Sequence, residues 1–269
     1  MEDNQNGEKT VIVTGGASRI GRGIALKFAE KGANVVIADI QRSPKETGPY
    51  EGSEVEPTDV KINEELSGTA IYTEANIRYL DDVEQMISDT IDKFGSVDIL
   101  VNNAGINIFS EDEGPLTPYG TEELSPEQWK KIVEVNLYGT FYCSKLALPY
   151  IKENSGHIIN ISSVHGSEGG WGPGYTSTKA GIENYTRDLA TEVGPDGVNV
   201  NAIAPGVILV PPHDIPEDEL GQQRHLTVNP HFGTPNDIAE VVEFLVSDKA
   251  SFIQGEVIHV DGGWSAHRI

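Results

Sequence analysis

Short apolar runs alternate with longer stretches whose apolar positions recur every three or four residues. The runs at 11–13, 35–38, 69–75, 97–105, 157–162, 198–205 and 256–263 predict strands. The stretches at 20–32, 80–95, 125–151, 175–193 and 234–248 predict helices. Ser125 is placed to cap the longest of these, with Pro126 in its first turn. Strands that are apolar throughout, each followed by a helix, predict an α/β fold: a doubly wound parallel sheet with helices on both faces. There is no internal repeat and no shift of composition, so residues 1–269 read as one domain. Its ligand crevice is expected at the carboxyl ends of the strands. Three connections are longer than such a fold needs: insertions at 41–68 and 106–124, and a candidate lid at 207–233.

Charge narrows the list of partners. Asp and Glu total 42 against 19 Lys and Arg, a net charge of −23. A surface of this sign repels nucleic acid and anionic lipid, which excludes both as partners. The acids are dispersed and form no tail, which suits solubility at high salt and a salt-adapted source. The one cysteine, Cys143, lies in an apolar helical run and reads as a small buried side chain. The first ten residues, MEDNQNGEKT, are polar and unlike a signal peptide, and no apolar run is long enough to span a bilayer. A cytoplasmic protein acting on a small-molecule substrate is expected.

The first strand runs into VTGGASRIGRG at 13–23, which opens a helix. Glycines at such a turn let the backbone approach a pyrophosphate, and the helix N-terminus favours the anion. Asp39 ends the second strand, where a carboxylate accepts from the ribose hydroxyls of NAD and repels the extra phosphate of NADP. Arg19 and Arg42 are nearby cations that argue the other way. The expected cofactor is NAD rather than NADP.

These pieces come in a telling order: TGGASRIG (14–21), NNAG (102–105), Asn136 within VEVNLYG, NISS (160–163), YTSTK (175–179), APG (204–206) and VDGG (260–263). The chain resembles a short-chain dehydrogenase/reductase of the classical type over almost its whole length. The resemblance implies a seven-stranded Rossmann fold. It also implies catalytic roles for Asn136, Ser163, Tyr175 and Lys179. Tyr175 is the general acid/base: a free phenol has a pKa of ~10, and a neighbouring ammonium and an oxidised nicotinamide are expected to lower it. Lys179, four residues on, shares its helical face and bonds the nicotinamide ribose. Ser163, with Ser162 as competitor, bonds the reacting oxygen. Asn136 holds a water that relays protons to Lys179. The implied cofactor contacts are Gly15, Ser18, Arg19, Ile20, Gly21, Asp39, Ile40, Asn76, Ile77, Asn102, Ala104, Gly105, Pro205, Gly206 and Ile208, together with Tyr175 and Lys179. Asn103 is expected to be structural support. A homotetramer, built on the two long helices, is the family's usual assembly.

Three residues depart from the pattern. Arg19 replaces the middle glycine of the phosphate loop and is expected in a helical or bridge conformation, because positive φ is costly there. Asn76 replaces an adenine-contacting aspartate, and Val210 a threonine that contacts the carboxamide. His165, His213, His225 and His231 lack the pattern of a metal site and read as surface or core residues. Trp171 and Trp264 are candidates for the substrate mouth. Asp214, Gln222, Gln223, Arg224 and His225 make the lid polar, and SSVHG is similar to sugar 1-dehydrogenases of the family. A sugar or polyol is therefore the expected substrate. The alternative enzyme is a 3-oxoacyl thioester reductase, against which the acidic surface counts because it repels an acidic acyl carrier. A reading of another class is a nucleotide-sensing protein without turnover, which an intact Ser163–Tyr175–Lys179 set opposes.

Overall fold

Seven parallel strands lie in the order β3-β2-β1-β4-β5-β6-β7. The computed structural model describes residues 9–44, 55–108, 119–209 and 227–266. The strands are β1 (Thr10–Thr14), β2 (Asn34–Asp39), β3 (Thr69–Glu74), β4 (Ile99–Asn102), β5 (His157–Ile161), β6 (Asn199–Pro205) and β7 (Val257–Val260). Each coincides with an expected apolar run. The helices are α1 (Arg19–Glu30), α2 (Thr58–Glu65), α3 (Leu80–Phe94), α4 (Pro126–Val133), α5 (Gly139–Glu153), α6 (Val164–Ser167), α7 (Pro173–Val193) and α8 (Pro235–Leu245).

Successive strand residues face opposite sides, so the sheet feeds two cores. Val11, Val13, Val35 and Ile37 pack with Ile24 and Phe28 of α1 and with Ile238, Val242 and Leu245 of α8. Ile12, Val36, Leu100 and Ile158 pack against Val83 and Met86 of α3, Cys143 and Ala147 of α5, and Leu189 and Val193 of α7. Cys143 is fully buried, and burial pushes its thiol up to about 12. The central strands are apolar throughout because both of their faces are covered.

Two elements differ from the pattern. The helix expected over 125–151 is not uniform: α4 passes through a π-helical turn, Glu134–Tyr138, before α5 begins. The Ser125 cap forms as expected, as a capping box with Gln128. Within 41–68, α2 was not anticipated, because its eight residues carry too few apolar positions for a helical period. Tertiary contacts define it instead: Thr58 Oγ1 donates to Ala17 O at 3.1 Å, and Arg22 donates to Thr58 Oγ1 at 2.9 Å and Glu56 O at 2.8 Å. Much of the three long connections, including Val210, His213, Asp214 and Gln222 to His225, lies outside the described residues.

The chain order reverses between β1 and β4, which pair directly. The crevice of such a sheet opens at that point, beyond the carboxyl ends. The loops after β1, β4, β5 and β6 meet there.

Candidate active site

The glycine loop is locked from below. Gly15 has φ 66°, and its N–H donates to Ala38 O at 2.7 Å. A Cβ on Gly21 would stand 2.1 Å from Gly15 O, so the first turn of α1 touches the loop backbone. Asn103 Nδ2 donates to Thr14 O at 2.9 Å and Gly15 O at 3.3 Å. Thr14 Oγ1 accepts from the N–H groups of Asn103 and Ala104 at 3.0 and 3.1 Å. Asn103 is thus the support expected of it. Thr14, quoted in the motif without a role, is the second clasp of the same joint. Ser18 is the N-cap residue of α1, in extended conformation. Ile20 packs on the core below.

Arg19 overturns its expectation. It takes φ 53°, the left-handed region, and neither a helical nor a bridge conformation. The turn keeps the shape that a glycine would give it, and a residue with a Cβ carries the strain.

Asp39 is buried at the end of β2, as expected. Its Oδ2 accepts from Ala17 N at 3.2 Å and its Oδ1 from Ile40 N at 2.8 Å. Ile40 is half exposed beside it. Arg42 is turned onto Asp59, with Nε at 3.1 Å and Nη2 at 2.6 Å. Asn76 uses its side-chain oxygen on Arg78 N at 3.3 Å, and Ile77 is buried against Gly139. Arg78 pairs with Glu134 and ties this loop to the π turn.

The expectation for Asn102 changes. Its side chain does not shape the loop: Nδ2 donates inward, to Ser144 Oγ at 3.0 Å and Asn160 Oδ1 at 2.9 Å. Ala104 and Gly105 do lie along the crevice. A Cβ on Gly105 would be 3.4 Å from both Asn136 Oδ1 and Lys179 Nζ, so both groups border the crevice at Gly105. Asn136 is fully buried in the π turn. Its Oδ1 accepts from Ile106 N at 2.8 Å, and its Nδ2 donates to Ile106 O at 2.9 Å and Thr178 Oγ1 at 3.0 Å.

Ser163, Tyr175 and Lys179 converge. Ser163 caps α6, accepts from His165 N at 3.2 Å, and faces the Tyr175 hydroxyl. Ser162 turns away, donating to Lys179 O at 3.2 Å and Glu183 Oε1 at 3.0 Å. That separates the two candidate serines. Lys179 is buried, its ammonium 5.6 Å from the Tyr175 ring centre and donating to Ile161 O at 2.7 Å. Burial lowers it to about 8.

The Tyr175 phenol is raised above 10.0, against expectation. Burial is the larger cause, and the Ser163 hydroxyl pulls it the other way. The Lys179 ammonium bonds a carbonyl rather than the phenol, so it does not offset the loss of water.

On the far wall, Gly206 N donates to Val260 O at 3.0 Å, which holds the end of β6, with Pro205, against β7. Ile208 bridges Gly233. His165 stacks on Trp171 at 5.1 Å and 8°, and meets Trp264 edge-on at 5.5 Å. Trp264 is buried and donates to Glu168 at 2.9 Å, so it packs beneath the mouth rather than lining it. His231 is exposed.

The sequence model described as enoyl-(acyl carrier protein) reductase matches residues 15–265. A 3-oxoacyl-[acyl-carrier-protein] reductase of Staphylococcus aureus is 39% identical over 260 residues, 95% of this chain and 97% of its own. The chain belongs to the short-chain dehydrogenase/reductase family. The (2S)-[(R)-hydroxy(phenyl)methyl]succinyl-CoA dehydrogenase subunit of Thauera aromatica is 38% identical over 261 residues, 96% of each chain. The crystal structure of a 3-oxoacyl-[acyl-carrier protein] reductase with bound NAD from Brucella melitensis superposes with TM-score 0.83 at 33% identity, covering 97% of this chain and 92% of that one. This short-chain dehydrogenase/reductase is an oxidoreductase of the class that interconverts hydroxyl and carbonyl groups. No helix among its described residues is long and apolar enough to cross a membrane.

Proposed function

We propose that this chain reduces the 3-oxo group of an acyl thioester with NADH, or runs the reverse oxidation. The gathering of Ser163 and Lys179 around Tyr175 carries the reading. The names of its relatives support the substrate: two are 3-oxoacyl thioester reductases and one acts on a CoA thioester. This replaces the expected sugar or polyol, which rested on lid residues 214–225, outside the described residues, and on the likeness of SSVHG to sugar 1-dehydrogenases.

The residues present fit a nicotinamide dinucleotide. The contact of Gly21 with Gly15 O sets the N-terminus of α1 directly against the glycine loop, and a helix N-terminus so placed would favour a pyrophosphate. Asp39 offers a carboxylate for ribose hydroxyls, and Arg42, engaged with Asp59, does not offer its charge to a 2′-phosphate. That supports NAD over NADP. Ala104, Gly105, Pro205 and Gly206 would border the nicotinamide half. The cofactor, when bound, supplies or accepts the hydride. Tyr175, whose phenol burial keeps protonated, donates its proton to the carbonyl oxygen as that oxygen gains charge. Ser163 Oγ bonds the same oxygen and orients it. Lys179, lowered to about 8 by burial, would hold the nicotinamide ribose and supply the proton that restores Tyr175 after each turnover. The exposed Tyr138 and Phe141 on the π turn and α5 support assembly into a homotetramer.

The test is absorbance at 340 nm with acetoacetyl-CoA and NADH or NADPH, beside a panel of sugars and polyols with NAD. Oxidation of NADH by the thioester is expected. Turnover of a sugar alone, or a preference for NADPH, would overturn the substrate or the cofactor reading respectively. Tyr175→Phe should lower kcat by about a thousandfold or more with NADH binding retained. Near-parental turnover would remove Tyr175 from the chemistry.

A further inference from the structure

Helix α7 carries a third ionisable side chain in register with Tyr175 and Lys179. Glu183 follows Lys179 by one turn and is buried. A buried carboxylate needs partners that repay its loss of water. Ser162 Oγ donates to Oε1 at 3.0 Å, and Ser167 Oγ donates to Oε2 at 3.4 Å. These two serines bracket the loop that carries Ser163. The loop backbone also lies flat on the carboxylate: a Cβ on Gly166 would stand 2.2 Å from Glu183 Oε1 and 2.8 Å from Ser162 Oγ. Inside the loop, Gly166 N donates to Ser163 O at 2.8 Å and His165 N to Ser163 Oγ at 3.2 Å. Ser167 Oγ has a further neighbour in His259 Nε2, at 3.2 Å.

We infer that Glu183 is a positioning residue that fixes the Ser163 hydroxyl against Tyr175 by anchoring both ends of loop 162–167 to the helix that bears Tyr175. The inference rests on the reading that Ser163 and Tyr175 share the reacting oxygen. The physical need is plain. Ser163 follows β5, whereas Tyr175 stands on α7, so their separation is set by two different elements. Errors of about 1 Å at a reacting pair cost on the order of a hundredfold in rate. One carboxylate that grips the loop from the helix removes that freedom. Its acceptors matter here rather than its charge, because both partners are hydroxyl donors.

Steady-state kinetics with acetoacetyl-CoA and NADH separate this role from general stability. Glu183→Ala is expected to lower kcat by about ten- to a hundredfold while KM for NADH stays within about twofold. Glu183→Gln, whose Oε1 still accepts from Ser162, is expected to stay within about threefold of the parent. Gly166→Ala, which drives a methyl into the same carboxylate, should resemble Glu183→Ala, and the two changes together should cost less than their sum. Parental kcat in folded Glu183→Ala, or equal damage in Glu183→Gln, overturns the inference. If Glu183→Ala does not fold, Ser162→Ala decides. A lower kcat at unchanged KM for NADH supports the anchor, and parental kcat overturns it. Hydrogen exchange at residues 162–168 keeps the anchor testable if the parent is inactive on thioesters. Faster exchange in Glu183→Ala than in Glu183→Gln supports it, and equal protection overturns it.

Discussion

At the scale of single residues, Arg19 and Lys179 both occupy states that ordinary residues avoid. Arg19 holds φ 53° because the turn between β1 and α1 is fixed by Asn103, Thr14 and the contact of Gly21 with Gly15. Arg19→Gly and Arg19→Ala both remove the side chain and differ only in the Cβ. The glycine variant should be the more stable of the two by about 1 kcal/mol in denaturant melts. Equal stability would mean that the turn relaxes when the side chain goes. Lys179 has a pKa lowered from 10.5 to about 8 by burial. The unfolded chain therefore binds more protons than the folded one between about pH 8 and 10.5, and stability contributed by this site rises with pH across that window. Below pH 8 the penalty is full. Lys179→Met lacks the titration, so the parent should gain on the variant by up to about 3 kcal/mol between pH 7 and 10.5. A constant gap over that range would show that the ammonium is not desolvated. Neither state was legible in the sequence. The motif named both residues, but a φ angle and a burial are properties of surroundings that the motif does not contain.

At the scale of elements, the rod α4–α5 shows what periodicity conceals. The pattern over 125–151 is helical throughout, and a π turn adds only one residue to one turn. That extra residue lies in Glu134–Tyr138, where Asn136 turns inward to clasp both backbone groups of Ile106. The resemblance picked out Asn136, but its tie to Ile106 needed the loop after β4 to be in place. Asn136→Ala would leave the half-buried N–H and C=O of Ile106 without their side-chain partner. A loss of about 2–4 kcal/mol is expected, read by chemical denaturation, together with a fall in kcat. A loss below about 0.5 kcal/mol would show that Ile106 finds other partners. Ser162 and Ser163 make the same point. They are neighbours of one type, and only the packing of β5 against α7 turns one to Glu183 and the other to Tyr175.

At the scale of the whole molecule, the charge of −23 sets the response to solvent. Surface pairs such as Lys27–Glu240 and Lys61–Glu65 contribute roughly 0–1 kcal/mol each and weaken in salt. Repulsion among 42 acids opposed by 19 bases acts in the other direction and is screened as the Debye length falls from about 10 Å to 3 Å. Repulsion outweighs these pairs, so Tm should rise between 0.1 and 1 M KCl. A fall in Tm would mean that the ion pairs dominate and would count against a salt-adapted protein.

The sequence by itself determined the strands of the sheet, its longer helices, the crevice and the pairing of Tyr175 with Lys179 on one helix face. Those follow from the spacing of apolar residues and from motifs contiguous in the chain, which are local. The tertiary structure decided the rest. It placed Asn102 in the core rather than at the cofactor loop, built α2 onto Ala17 and Arg22, and raised the Tyr175 phenol that neighbouring charge was expected to lower. It also set Glu183 beneath the Ser163 loop. Each of these depends on groups distant in the chain meeting in space, and on the water they lose when they do.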